Sequence, residues 1–280
     1  HGVKDQKERF LSKILSAEEI WCQGFSEPAA GSDLAALKTK AQPVDDGFVI
    51  NGQKIWTSFA QIADWCFLLC RTSEEEKRHH GMSYLLVDMK SKGITVRPLK
   101  QISGDLEFNE VFFDNVFTPK ENLVGSVGEG WKIAVSTLMY ERVVLTFSRM
   151  LQSEVTLRSL GEKYKDSAGV MQLERLADCV AKSVVVRSLA YSHLLSYANG
   201  KAPGPEGSLD KLFWSESFQE ISKLALDLLG QDASFGEQHA EFGHDLHRYL
   251  YSRGRTIAAG TSEVQKNIIA ERLLGLPRSY

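Results

Sequence analysis

The sequence predicts an α+β multidomain chain: an antiparallel β-barrel or sandwich followed by an α-helical bundle of the four-helix type. Three observations predict it. Between about residues 20 and 125 short apolar runs recur at regular spacing, bounded by Gly, Asp or charged loops and with no helical period between them. Beyond Gly128-Glu129-Gly130 the apolar residues recur at intervals of three and four instead. The chain has 280 residues, 43% of them hydrophobic, enough to fill one large or two medium cores.

Each element follows from its local pattern. Residues 1–19 read as a helix carrying Phe10, Leu11, Ile14 and Leu15 on one face among Lys and Glu. In the segment 20–125, Asp45-Asp46-Gly47 signals a turn and Phe48-Val49-Ile50 a strand. Asn51-Gly52 signals a hairpin turn, with Lys54-Ile55-Trp56 as the return strand. Further strands are expected at 65–70, 83–87, 94–98 and 110–116. The segment 126–280 forms the bundle. One long helix runs from Trp131 to about Leu160, and a second has the stripe Leu173, Leu176, Ala177, Val180, Ala181, Val184 and Leu189, ending at Asn199-Gly200. After Ala202-Pro203-Gly204-Pro205 a third helix, capped by Ser208, carries Leu209, Leu212, Phe213, Ile221, Leu224 and Leu228. A last helix starts near Thr261 or Ser262, where Ser262 and Gln265 fit a capping box, and stops at Gly275.

Composition narrows the function classes. The 33 basic and 36 acidic residues give a net charge of −3, with no nucleic-acid or membrane footprint. No secretory leader and no apolar run of about 18 residues is visible, which reads as a soluble protein. Cys22, Cys66, Cys70 and Cys179 are scattered and read as free buried thiols in a reducing compartment. The pair His79-His80 lies in a charged run, Glu74 to His80, without partner ligands at suitable spacing, so no metal site is expected.

Two stretches concentrate chemistry. Ser26-Glu27-Pro28-Ala29-Ala30-Gly31-Ser32-Asp33 packs permissive backbone and short hydroxyls into a loop suited to cradling a ligand, although ordinary turn clusters share this composition. Asn51-Gly52-Gln53-Lys54-Ile55-Trp56-Thr57-Ser58 follows about twenty residues later. Together with Ala259-Gly260-Thr261-Ser262-Glu263-Val264-Gln265 near the end, these resemble, in order, the motifs of the acyl-CoA dehydrogenase family. Residues 1–19 then look like the tail of that family's N-terminal helical domain, with the rest of it absent, residues 20–125 like its flavin- and acyl-CoA-binding middle domain, and 126–280 like its C-terminal bundle.

The resemblance implies an FAD enzyme that oxidises an acyl-CoA thioester to the trans-2-enoyl-CoA. A carboxylate removes the α proton while the β hydride passes to flavin N5. Such a base needs a dry pocket that raises its pKa. By resemblance Phe25 and Ser26 lie along the flavin edge, Trp56 flanks the ring, and Ser58 stands where the family usually has a threonine. Thr261 and Glu263 contact the dinucleotide, Ser32 meets the phosphopantetheine, and Arg142 contacts the coenzyme A portion. In most of the family a glutamate precedes the Gly-Thr of the last motif; here it is Ala259, which cannot take a proton. A minority carries the glutamate on the first bundle helix in a Leu-Glu-Arg-like sequence. Leu138-Met139-Tyr140-Glu141-Arg142-Val143-Val144-Leu145 matches it, making Glu141 the catalytic candidate; a surface pair on a long helix is the other reading of Glu141 and Arg142.

Two departures matter. The family's Arg-x-x-Phe-Gly segment is replaced by Gly161 to Gly169, and the glycine-rich segment after the third bundle helix reads Leu228-Leu229-Gly230-Gln231-Asp232-Ala233. Both features, with 207–216, look like a bacterial branch that handles steroid side chains and other bulky acyl groups, some members of which are mixed tetramers. The expected partners are an acyl-CoA, an electron-transferring flavoprotein and a homo- or heterotetramer. The expected location is the cytoplasm, or the mitochondrial matrix in a eukaryote. A non-catalytic supporting subunit and a flavin oxidase or monooxygenase stand as the alternatives.

Overall fold

The computed structural model describes residues 1–232 and 240–278, with side chains at all of these except 143–145 and 240–243. The chain forms two compact units, His1–Ser136 and Thr137–Tyr280.

In the first unit, helix α1 (Lys4–Leu15) precedes eight strands: β1 (Trp21–Gly24), β2 (Lys40–Val44), β3 (Gly47–Lys54), β4 (Trp65–Arg71), β5 (Met82–Asp88), β6 (Ile94–Leu99), β7 (Phe108–Pro119) and β8 (Leu123–Val124). They form one sheet in the order β6-β7-β3-β2-β4-β5-β8, with β1 added on β4, and the path of pairings does not close. Most pairings are antiparallel as expected, but β1 runs parallel to β4, Trp21 opposite Trp65, and β2 meets β4 in parallel at Lys40 and Arg71. The two-residue period that reveals a strand carries no information about its direction. The core lies on the sheet and includes Cys22, Phe48, Ile50, Leu68, Leu85, Val87, Val111 and Phe113. Strands β4 and β5 are buried almost continuously, as their unbroken apolar runs require.

Two local expectations change. Asn51-Gly52 is not a hairpin turn: β3 continues through it, and the register against β7 slips between Ile50 and Gly52. The slip is a bulge stitched by Asn51, whose Oδ1 accepts from Asn115 N at 2.9 Å. A Cβ on Gly52 would stand 2.5 Å from Thr39 Oγ1, so glycine serves close approach here. The hairpin turn is the one at Asp45-Asp46, which joins β2 to β3. Helix α1 is also shorter than expected, because Ala17 reverses the chain at φ 57°. It buries Phe10 edge-on against Trp21 and Trp65, while Leu11, Ile14 and Leu15 stay exposed.

In the second unit α2 (Gly130–Tyr164), which begins in the first, leads to α3 (Val170–Ala198), α4 (Glu206–Leu229), α5 (Ala240–Arg255) and α6 (Ser262–Ile268), with a π-turn at Ile269–Leu273. Helix α5 has few aliphatic residues and escapes the three-four stripe. It packs through stacked pairs such as Arg149 on Tyr251 and through Gln219 donating to Ser252 O. The bundle is layered along α2, α3 and α4. One apolar layer joins Leu157, Cys179, Ile221 and Leu224, and the next joins Met150, Val186, Ala190, Trp214 and Phe218. Beyond them comes a buried polar layer that includes Arg142, Ser208, Asp210 and Lys211.

The predicted α3 stripe meets the core only in part, through Leu176. Cys179, Ser183, Val186 and Ala190 are buried, whereas Leu173, Val180 and Val184 lie 39%, 44% and 47% exposed. Ser208 is no cap either: α4 starts at Glu206 behind Pro205, whose fixed φ begins the helix three residues earlier. The cap of α6 is Thr261, whose Oγ1 accepts from Val264 N at 3.2 Å, because it is the last extended residue before the helix. The altered segment beginning at Leu228 reaches Ala233, which lies outside the described residues. All four cysteines are free and buried. No cluster able to hold a metal ion and no helix long and apolar enough to cross a membrane occurs among the described residues.

Candidate active site

In the first unit the two motif stretches are clamped together by a buried ion pair that sequence reasoning missed. Lys54, fully buried, donates to Glu27 Oε1 at 2.9 Å and to Phe25 O at 2.8 Å. Glu27 also accepts from Lys38 N at 2.6 Å and Thr39 N at 2.8 Å. A further backbone bond, Ile55 N to Ser26 O at 2.9 Å, ties the return of β3 to the loop. Burial pushes the Glu27 carboxyl up, but Lys54 and the donors from Thr39 and Lys38 outweigh it and hold it below the ordinary carboxylate range. Burial likewise depresses the Lys54 ammonium, with Glu27 opposing. A signal was present: Lys54 falls on the same alternation of β3 as the buried Phe48 and Ile50, and a buried lysine requires a carboxylate.

The clamp fixes the side chains the family resemblance points to. Phe25 is buried, its ring edge-on to Phe67 and Tyr84. Ser26 and Ser58 are half-buried. Trp56 is 57% exposed on a left-handed backbone, φ 60°, with its indole edge-on to Phe108 at 5.9 Å. Between Trp56 and Ser58, Thr57 Oγ1 is buried without a hydrogen-bond partner. Ser32 stands apart, exposed beside the Asp33–Arg78 ion pair.

In the second unit Glu141 and Arg142 lie on α2 at the polar end of the bundle. Glu141 Oε2 is buried without a hydrogen-bond partner. Burial raises its pKa above the ordinary 4.5, with Arg142 opposing. That is the state a general base requires, a carboxylate poorly solvated and eager for a proton. Arg142 is itself buried, its Nη1 donating to Ser208 Oγ at 3.4 Å while Nε finds no partner. Arg142 is thus buried and Glu141 half-buried, with one carboxylate oxygen closed off from solvent. The helix around Glu141 is apolar in sequence, although side chains 143–145 lie outside the described residues.

The turn before α6 is built with care. Ala259 and Gly260 are both left-handed, φ 55° and 93°. Their carbonyls point inward, Ala259 O accepting from Gln265 Nε2 at 2.9 Å and Gly260 O from Lys211 Nζ at 2.7 Å. Thr261 caps the helix, and Glu263 is exposed, its carboxyl held low by backbone and Thr261 hydrogen bonds. Ser208 and Gln265 read in sequence as capping residues and Lys211 as an ordinary helical lysine; in the fold Ser208 holds Arg142, Gln265 the Ala259 and Gly260 carbonyls, and Lys211 Gly260 O.

The donor set suits a flavin. A half-exposed indole, two half-buried serine hydroxyls and an orphaned buried threonine hydroxyl offer the stacking face and the hydrogen-bonding edge that a planar heteroaromatic ring needs. The fold that carries this donor set is an open, largely antiparallel sheet followed by a helical bundle.

Comparison with known proteins narrows it. The acyl-CoA dehydrogenase middle domain matches residues 22–116 and the acyl-CoA dehydrogenase C-terminal domain residues 128–274. Acyl-CoA dehydrogenase IpdE1 of Mycolicibacterium smegmatis is 41% identical over 291 residues, which cover 99% of this chain and 73% of that protein. Among solved structures, the Tcur3481-Tcur3483 steroid ACAD aligns with a TM-score of 0.88 at 27% identity, over 99% of this chain and 73% of that one. The ChsE4-ChsE5 complex from Mycobacterium tuberculosis aligns with a TM-score of 0.86 at 30% identity, over 100% and 74%. The chain belongs to the acyl-CoA dehydrogenase family; it is an oxidoreductase acting on acyl-CoA, with FAD as its cofactor.

Proposed function

We propose that the protein dehydrogenates an acyl-CoA thioester between its α and β carbons, giving the trans-2-enoyl-CoA, with Glu141 as the base. The observation that carries this reading is the buried, unpartnered Glu141 Oε2 with its pKa raised, in a chain whose other base position is Ala259. Glu141 takes the α proton as the carbanion character develops. Bound FAD supplies the two-electron acceptor for the β hydride. Phe25, Ser26, Trp56 and Ser58 hold and orient the ring on the clamped loop, and Thr261 and Glu263 meet its nucleotide end. Ser32 and Arg142 bind the coenzyme A portion of the substrate.

The acyl group in this reading is bulky and steroid-like, which the 27% identity to a protein described as a steroid ACAD supports. The acceptor is an electron-transferring flavoprotein, and the location is the cytoplasm. A second, unlike subunit completes the assembly. Three observations favour that: the lost Arg-x-x-Phe-Gly segment, the two-protein composition of the ChsE4-ChsE5 structure, and the uncovered apolar stripe of α3. The decisive experiment is anaerobic addition of acyl-CoAs from short to steroid-like to the purified flavoprotein. Bleaching of the visible flavin bands by one class establishes the half-reaction and its substrate together. Flavin bands that no acyl-CoA bleaches, with or without a partner subunit, would sink the proposal.

A further inference from the structure

Lysine is costly to bury, so a lysine closed off from solvent marks a contact worth holding. Lys211 is 2% exposed and sits inside α4 with Arg142 and Arg255 as like-charged neighbours. Burial first, then Arg142, pulls its pKa down to about 8, against the opposing pull of Glu216 and Glu263. Its Nζ donates to Gly260 O at 2.7 Å, the carbonyl of the left-handed turn in front of α6. Gln265 backs the same carbonyl more weakly, at 3.2 Å. Three residues before Lys211 on the same helical face, Ser208 accepts from Arg142 on α2. A single turn of α4 therefore braces both the helix that carries Glu141 and the turn that leads into Thr261 and Glu263.

We propose that Lys211 is a positioning residue for the cofactor: by holding Gly260 O from inside the bundle it sets the turn Ala259–Gly260–Thr261 in the geometry that receives the FAD nucleotide. The inference rests on the reading of Thr261 and Glu263 as nucleotide contacts. Lys211 acts through the turn, by its bond to Gly260 O. Loss of its ammonium leaves Gly260 O with the longer Gln265 bond alone, so the turn persists but is held less firmly.

The test is the FAD dissociation constant of the full protein, read by flavin absorbance and fluorescence, beside the melting temperature of the cofactor-free form. Four proteins are compared: the parent, Thr261→Val, Lys211→Met and Lys211→Gln, whose amide retains a donor. Expected is about tenfold weaker FAD binding for Lys211→Met, with an intermediate value for Lys211→Gln. Weaker binding in Thr261→Val with parental affinity in Lys211→Met would overturn the positioning role and leave the nucleotide reading standing. Parental affinity in Thr261→Val would overturn the nucleotide reading itself. A lowered melting temperature in Lys211→Met at unchanged FAD affinity, or failure of both Lys211 variants to fold, would make Lys211 a residue of bundle stability and overturn the proposal.

Discussion

Lys54 Nζ lies 2.9 Å from Glu27 Oε1, with the lysine fully buried and the glutamate 8% exposed. This one contact joins the two motif stretches of the first unit, one on the loop after β1 and the other at the end of β3. The glutamate spends its remaining capacity on the backbone of Lys38 and Thr39, so a single carboxylate closes three segments at once. The hydroxyls and the indole that suit a flavin thus hang on a locked frame, which limits the reorganisation that binding would otherwise require.

Removing one partner of that pair leaves the other charge stranded. Glu27→Gln and Lys54→Met are each expected to lower stability by about 3–5 kcal/mol, and the double substitution Glu27→Leu/Lys54→Met by less than the two singles summed. Urea unfolding monitored by circular dichroism reads all three. The Glu27 carboxyl is held below its unfolded value, so its contribution is full above the ordinary carboxylate range and is lost as pH falls through the depressed folded value. Parental stability in either single variant would contradict the clamp.

Glu141→Gln keeps the shape of the base and removes its proton affinity. Turnover with the preferred acyl-CoA should fall by about 10²–10⁴-fold with FAD still bound, as the visible spectrum will report. Unchanged turnover would return the base to another residue.

Because burial raises the Glu141 pKa, kcat/KM of the parent should fall as pH drops through that raised value, above the ordinary 4.5. The same shift works against stability. As pH rises, the unfolded chain releases this proton before the folded one does, so the parent loses stability between the two values. Glu141→Gln should escape this loss, which melting curves at pH 4 and pH 7 will compare. An acid limb that survives in residual Glu141→Gln activity would assign it to a different group.

Gly260 has φ 93°, and a Cβ there would stand 2.4 Å from Gln265 Nε2. Gly260→Ala is therefore expected to cost about 1–3 kcal/mol and to disturb the turn that Lys211 and Gln265 hold. Thermal melting measures the first effect and FAD retention the second.

On α3, Val180 and Val184 share an exposed apolar stripe with Leu173, one turn and two turns apart along the face opposite Cys179 and Val186. Val184→Glu should shift the assembled protein to a smaller species in size-exclusion chromatography with light scattering, while leaving the helical content intact. An unchanged mass would free this face from any interface.

The sequence by itself determined the fold class and the three motifs, and it ruled out Ala259 as a base, because these depend on local periodicity and on residue identity: an alanine methyl has no basic group to take a proton. Only the tertiary structure decided what those residues face. Period two located β3 but not the bulge at Gly52, since the slip exists only relative to β7. Period three-four located α3 but could not say which of its two apolar stripes the bundle would cover, since Val180 and Val186 are equally hydrophobic and differ only in their neighbours. The partners Glu27 with Lys54 and Lys211 with Gly260 O are separated by 27 and 49 residues, and only the folded chain sets such groups in contact. Burial then raises the energetic stakes of each pairing, because a charge removed from water depends on whichever groups the fold has placed beside it.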